Sequence, residues 1–240
     1  MHGVGGRGGV VSGAGGRALG VCQQIRQAGG EVLYLQARGH DLPEMTEAVE
    51  RVRQRFGTLH GVIHSALIFQ NEFLRKLDES IFQEVLNSKI RTAAVLVELT
   101  RELPLDFLLF LGSAQSFFNE ARRSAYAAGC SFVDAYARLI RRRVPFPVHV
   151  INWGFWSHSF DLAIQRTMRA AGLGVIQPQD GMPAIERVLA AGVLQAGFLK
   201  ADLEALRRMD INPSEQLVYL PKTEYGDEEL ETVLAAKLFE

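Results

Sequence analysis

The sequence predicts an α/β fold, a doubly wound parallel sheet with helices on both faces, and three observations carry that expectation. Short apolar runs of strand character alternate along the chain with helical stripes of ten or more residues. Polar residues of chemical use stand just after those runs, where an open parallel sheet binds its ligands. The chain has 240 residues, 48% hydrophobic and 22% charged, which is enough to bury one large core and is neither disordered nor fibrous.

Taken in order, the first twenty residues hold nine glycines, a stretch of high backbone entropy with little to bury. Gly3-Val4-Gly5-Gly6-Arg7-Gly8-Gly9 has the spelling of a phosphate-binding loop, but no strand precedes it and no strongly apolar helix follows. The N-terminal βαβ unit is therefore expected to be truncated or degenerate, with residues 1–16 a disordered or loosely packed segment that lacks a strand. Glu31–Gln36 reads as a buried strand closed by the turn Arg38-Gly39-His40-Asp41. Met45, Ala48, Val49, Val52 and Phe56 then fall at helical spacing. Gly61–His64, Asp106–Leu111, Val148–Asn152 and Ala196–Leu199 read as strands of the same sheet. Helices are expected over 79–102, 124–143 and 181–191. After Met209 the texture becomes polar, and residues 212–240 read as a linker leading to a short helix.

The bulk numbers exclude several classes. A net charge of −1 draws the chain to neither nucleic acid nor an anionic membrane. Cys22 and Cys130 form no disulfide framework and no metal-ligand spacing, which fits a reducing compartment. No apolar run is long enough to span a membrane, and the N-terminus lacks the apolar core of a signal peptide. A cytoplasmic protein is expected.

Chemistry concentrates after the third and fourth of these strand runs. Leu109-Phe110-Leu111 ends in Gly112-Ser113, and thirteen residues after Ser113 comes Tyr126, at the start of the next helix. A turn serine and a core tyrosine would explain these two alone. Lys89 argues otherwise, because it shares a helical stripe with Phe82, Val85, Leu86, Ala93 and Leu96. A lysine on a face that packs toward a sheet is costly unless something uses its charge. The three fit carbonyl reduction: a nearby ammonium lowers a phenol's pKa from about 10, the phenol donates a proton to the developing alkoxide, and the serine holds the carbonyl oxygen. Hydride must come from a cofactor, since no side chain supplies it.

HGVIHSA, the stretch from Asp78 through Lys89 to Thr100, LFLGSAQSFF, SAYAAGCSFVDAYA and INWGFW resemble, in order and spacing, the ketoreductase domains of modular type I polyketide synthases. SAQSFF with YAAGC is most similar to domains from synthases loaded by a separate acyltransferase. These domains belong to the short-chain dehydrogenase/reductase superfamily, so the resemblance implies a Rossmann-like fold. It runs from about residue 17 to residue 211. It implies Tyr126 as proton donor, Ser113 as the group orienting the carbonyl and Lys89 as the residue tuning the tyrosine. Cys130 stands in a supporting position, commonly asparagine in the family, and a thiol cannot copy an amide's hydrogen bonds. NADPH is the implied cofactor, with contacts at Ala37, His64, Ser65, Trp153 and Gly154. A core aromatic explains Trp153 equally well.

The chain also departs from the family's pattern. Arg38 stands where an aspartate usually faces the adenine, and the strand carrying a basic residue for the 2′-phosphate has no clear counterpart before Arg17. Phe69-Gln70-Asn71 occupies the place of a Leu-Asp-Asp triplet that marks one stereochemical class, and no tryptophan marks the other class near residues 116–125. Three readings follow. The first is an NADPH-dependent reductase of a β-ketoacyl thioester tethered to an acyl carrier protein, within a set of other polyketide synthase domains and impaired by loss of its nucleotide-binding front. The second is a non-catalytic ketoreductase-like structural domain. The third is a fragment of a polyketide synthase gene whose start codon lies inside, or out of frame with, the true domain.

Overall fold

The computed structural model describes residues 8–11, 15–68, 72–117, 121–209, 217–219 and 232–235, with side-chain environments from residue 18 to residue 209. The elements are β1 (Gly8–Val11), α1 (Gly15–Gln27), β2 (Glu31–Tyr34), α2 (Leu42–Phe56), β3 (Gly61–His64), α3 (Glu79–Thr100), β4 (Phe107–Ser113) and α4 (Ser124–Ile140). They continue with β5 (Val148–Trp153), α5 (Leu162–Ala170), α6 (Pro178–Ala191), β6 (Gln195–Lys200), α7 (Leu203–Arg208), β7 (Leu217–Tyr219) and β8 (Thr232–Ala235). Local chemistry sets several boundaries. Asp41 caps α2 by accepting from the Glu44 amide at 3.1 Å, and Asp78 caps α3 by accepting from the Ser80 amide at 2.8 Å. Each cap satisfies an amide that the first helical turn leaves without a partner.

β3, β4, β5 and β6 are parallel neighbours, so their carboxyl ends share one edge. Side chains alternate across this sheet. Leu108, Phe110, Val148 and Val150 face α3 and α4, where they pack with Ala93, Val97, Val133, Ala137 and Ile140. Leu109, Ile151 and Trp153 face the other way, onto Ala184 and Val188 of α6. Both faces are covered, as the expected doubly wound architecture requires.

The front of the chain differs from the expectation. β1 is a strand, parallel to β2 in the register Gly8↔Glu31 to Val11↔Tyr34, and α1 connects the two. Glycine density hides it in the sequence, because only the β-branched pair Val10-Val11 signals extended backbone and a partner strand twenty residues on supplies the rest. Gly8 and Gly9 lie in that strand, so Gly3–Gly9 is not the loop after it; residues 1–7 lie outside the described residues. Glu31–Gln36, expected in the main sheet, forms instead this two-stranded unit with β1, and its strand ends at Tyr34.

The end of the chain differs as well. Where a linker and a short helix were expected, β7 and β8 pair with each other, and β8 pairs antiparallel with β6. Leu217-Val218-Tyr219 and Thr232-Val233-Leu234 are strand-like in composition but too short to stand out from the polar residues between them. The rest of residues 210–240 lies outside the described residues.

The packing of the main sheet generates one expectation for stability. Phe110 is fully buried in the α3/α4 face of the core. Phe110→Ala should lower unfolding stability by about 3–5 kcal/mol in urea titration. A loss under about 1 kcal/mol would contradict this packing.

Candidate active site

Four of the residues singled out in the sequence meet at the carboxyl end of β4. Ser113 is its last residue, beside Trp153 of β5, which in turn stands beside Phe198 of β6. Tyr126 lies in the first turn of α4, buried to 9% exposure, and its hydroxyl hydrogen-bonds with the side chains of both Ser113 and Cys130. Lys89, in the middle of α3, is 3% exposed; its Nζ donates to the Leu111 carbonyl at 2.9 Å and lies 5.8 Å from the centre of the Tyr126 ring. A helix from before β4 and a helix from after it thus deliver an ammonium and a phenol to the same strand end.

The electrostatics correct one expectation. The Tyr126 phenol is not drawn toward phenolate. Burial pushes its pKa well above the ordinary value and Cys130 pushes the same way, while the Ser113 hydrogen bond and the Arg123 charge oppose them more weakly. Desolvation disfavours the charged form, and it outweighs the Ser113 hydrogen bond and the Arg123 charge. Tyr126 is therefore a loaded proton donor at neutral pH. Burial lowers the Lys89 pKa, opposed by Cys130 and Asp134, and burial raises the Cys130 thiol, opposed first by Lys89.

The residues expected at a cofactor cleft sit at strand ends but do not all face it. His64 ends β3, buried against Phe110 with ring centres 5.5 Å apart, and neither ring nitrogen finds a hydrogen-bond partner of good geometry. Burial and then Lys89 hold its pKa down at about 3. Ser65, next in sequence, is exposed, and Ala37 is half-buried after β2. The Trp153 side chain belongs to the core on the α6 face, with ring centres 4.9 Å from Trp156 and 5.5 Å from Phe198. Gly154 is needed for close approach: its amide donates to the Phe198 carbonyl at 2.8 Å, and a Cβ there would meet Leu199 Cδ2 at 2.8 Å. Arg38 turns away into ion pairs with Asp41 (3.0 Å) and Glu44 (2.6 Å).

Two features escaped the sequence reading. One is a buried polar group around Asn152, which reaches Asp134, Gln195 and the Ser113 carbonyl. Nothing in the spacing of these residues announces that they meet. The other is Gly13-Ala14-Gly15-Gly16-Arg17-Ala18, which has the spacing G-x-G-x-x-A. It follows β1, and α1 begins at Gly15, so the strand and helix that such a pattern needs on either side are both present. Residues 12–14 lie outside the described residues. The signal was legible once Val10-Val11 is taken as a strand, since the pattern then falls immediately after it. A pyrophosphate suits the N-terminus of such a helix, whose amides lack internal partners.

Among the described residues no cluster of His, Cys, Asp and Glu could hold a metal ion, and no helix is long and apolar enough to cross a membrane. Residues 10–158 match the family model described as KR domain. Polyketide synthase ThaG of Burkholderia thailandensis is 37% identical over 189 residues, covering 78% of this chain and 3% of ThaG. Polyketide synthase PksN of Bacillus subtilis is 35% identical over 170 residues, covering 70% of this chain and 3% of PksN. The chain thus spans a small part of the length of these relatives. A solved ketoreductase domain from the bacillaene assembly line superposes with a TM-score of 0.76 at 24% identity, covering 85% of this chain and 52% of that one. An N-terminal ketoreductase from the macrolactin assembly line gives 0.76 at 23%, covering 84% and 41%. At these identities the two structures speak for the fold.

The buried imidazole has a consequence for pH. His64 has a folded pKa of about 3, below its ordinary 6.5, so protonation favours the unfolded chain and stability falls as pH drops from about 6.5 toward 3. At pH 5 the loss from this residue should be about 2 kcal/mol relative to pH 7. In His64→Leu the drop should shrink by about that amount, leaving the part from His149, whose pKa burial also lowers. Chemical denaturation across pH 5–7 checks it, and equal acid sensitivity in both proteins would refute it.

Proposed function

Because the chain belongs to the KR family, the ketoreductase domains of polyketide synthases within the short-chain dehydrogenase/reductase superfamily, we propose that it reduces a β-ketoacyl thioester to the β-hydroxyacyl product with NADPH. The observation that carries this reading is the meeting of Lys89, Ser113 and Tyr126 at the end of β4, with a buried phenol held protonated. Bound NADPH would supply the hydride that the carbonyl carbon receives. The Ser113 hydroxyl donates to the carbonyl oxygen and fixes it beside Tyr126. As negative charge grows on that oxygen, the Tyr126 O–H transfers its proton there, completing the alcohol. The Lys89 ammonium stabilises the phenolate left behind, which must then regain a proton. The substrate is read as a chain tethered to an acyl carrier protein, with other synthase domains as neighbours, in the cytoplasm.

Gly13–Ala18 with the start of α1 would hold the pyrophosphate, and Ala37, His64, Ser65, Trp153 and Gly154 lie at the strand ends where the rest of the nucleotide would run, the last two through their backbone. The catalytic unit on this reading reaches forward to β1, ahead of the boundary at residue 17. Its front has β1 and β2, whereas the full doubly wound order places three strands in that half. Among the described residues none takes the place of the strand that would offer a basic residue to the 2′-phosphate. Losing such charge-assisted bonds, worth about 1.5–3 kcal/mol each, weakens binding by one to two powers of ten per bond. Nucleotide affinity in the isolated chain is therefore expected to be weak. The same two-stranded front favours a second reading, a non-catalytic structural domain.

Three results separate these readings. NADPH-dependent reduction of trans-1-decalone should be measurable, should saturate only at about millimolar NADPH, and should fall at least about a hundredfold in Tyr126→Phe. Saturation at micromolar NADPH would show that the front is not impaired. Absence of turnover, with no change in tryptophan fluorescence on titrating NADPH to several millimolar, would favour the structural domain.

A further inference from the structure

Beside Ser113 the core holds a chain of polar side chains to which the reduction assigns no role. Arg138 Nη2 on α4 donates to Gln195 Oε1 at 2.8 Å, and Gln195 Nε2 donates to Asn152 Oδ1 at 2.8 Å. Asn152 Nδ2 reaches the Ser113 carbonyl at 3.2 Å and the Ser116 hydroxyl at 3.4 Å. It also lies 3.1 and 3.2 Å from the two carboxylate oxygens of Asp134. Asn152, Asp134 and Gln195 are all buried. Polar groups in such a place are costly unless paired, and apolar side chains would fill the same space without that demand.

The chain can run in one direction only. A guanidinium only donates, so Gln195 must turn its carbonyl oxygen to Arg138 and its amino group to Asn152. A main-chain carbonyl only accepts, so Asn152 must turn its amino group to Ser113. The two ends demand the same orientation of both amides. Neither amide can flip without setting two donors or two acceptors face to face.

The part of the site fixed in this way is the turn after β4. Ser113 is held up to its own position by pairing with Trp153 of β5. Beyond it the backbone bends through Ala114–Ser116, and Ser113 Oγ accepts from the Gln115 amide of that bend at 3.3 Å. This donor takes one lone pair of Oγ and leaves the hydroxyl proton for another acceptor. Asn152 grips the bend at both ends, by the Ser113 carbonyl and the Ser116 hydroxyl. It does so across Gly112, where a Cβ would meet Asn152 Nδ2 at 2.8 Å and Val150 Cγ1 at 3.3 Å.

Resting on the reductase reading of this site, we propose that Asn152 is a positioning residue: oriented through Gln195 by Arg138 and braced by Asp134, it fixes the Ala114–Ser116 turn and so aims the Ser113 hydroxyl at the ketone oxygen. Its effect on turnover passes through Ser113.

Asn152→Leu keeps the bulk of the side chain and removes its donor and its acceptor. Turnover of trans-1-decalone at saturating NADPH should fall about ten- to a hundredfold, the cost of a misaimed group. In Ser113→Ala the same substitution should cost less than about threefold more, because the hydroxyl it aims is already gone. An equal fall in both backgrounds overturns the proposal, since a merely structural amide would slow both alike. No fall in the first overturns it too. The contact is also read without turnover, in protein carrying 13C at the serine carbonyls, the Ser113 signal being assigned by its loss in Ser113→Ala. That signal should move upfield in Asn152→Leu, as a carbonyl does on losing a donor, and an unmoved signal overturns the proposal. It decides alone if Ser113→Ala leaves no measurable turnover. Should Asn152→Leu not fold, its combination with Asp134→Leu, which strands no carboxylate, takes its place in both measurements. A parent protein without NADPH-dependent turnover defeats the reductase reading instead, and the carbonyl signal still decides whether Asn152 holds Ser113.

Discussion

A lysine ammonium buried against the end of a central strand is the constraint on which this site turns. Lys89 enters from α3, passes between α3 and α4, and donates to the Leu111 carbonyl just before Ser113. A charge so far from water is tolerated only with partners on most sides. The Leu111 carbonyl is one, and the Tyr126 ring lies near. The partners come from β4 and α4, so burying this one charge ties α3, β4 and α4 into a single geometry. The phenol that would do the chemistry is held by the same arrangement.

The sheet makes that geometry possible. Because β3 to β6 are parallel, every strand delivers its last residue to one edge, and the helices that follow begin there. Leu108 and Phe110 anchor β4 to α3 and α4, while Leu109 anchors it to α6 from the other side. A strand locked on both faces cannot slide, and the position of Ser113 at its end inherits that rigidity. Trp153 shows the other use of the edge. Its ring packs into the α6 core and leaves only backbone, with Gly154, beside the place where a ligand would lie.

Burial also fixes the protonation states. His64 and Tyr126 are both pushed toward their neutral forms by desolvation, the histidine down and the tyrosine up. A neutral imidazole beside Lys89 adds no second positive charge to an already costly site. A protonated phenol is ready to give up its proton, and it gives it up only when an oxygen with growing negative charge lies within reach. The same low dielectric that raises its pKa makes that transfer sensitive to where the nearby charges stand.

Much of this was legible in the sequence. The alternation of apolar runs, the mid-stripe lysine and the spacing from Ser113 to Tyr126 are local patterns, and local patterns determined α2, α3, α4 and the four central strands. The same locality failed at the ends. Val10-Val11 among glycines, and the three- and four-residue strands β7 and β8, carry too little signal of their own, because a strand that short is held by its partner. Tertiary structure alone decided three matters: that burial and not Lys89 governs the Tyr126 pKa, that the Trp153 ring belongs to the core, and that Asp134, Asn152, Gln195 and Arg138 meet beside Ser113. Sequence determines which groups are present and which face of an element they occupy. Desolvation and long-range hydrogen bonding depend on what the other elements bring to the same point, and only the folded chain brings them there.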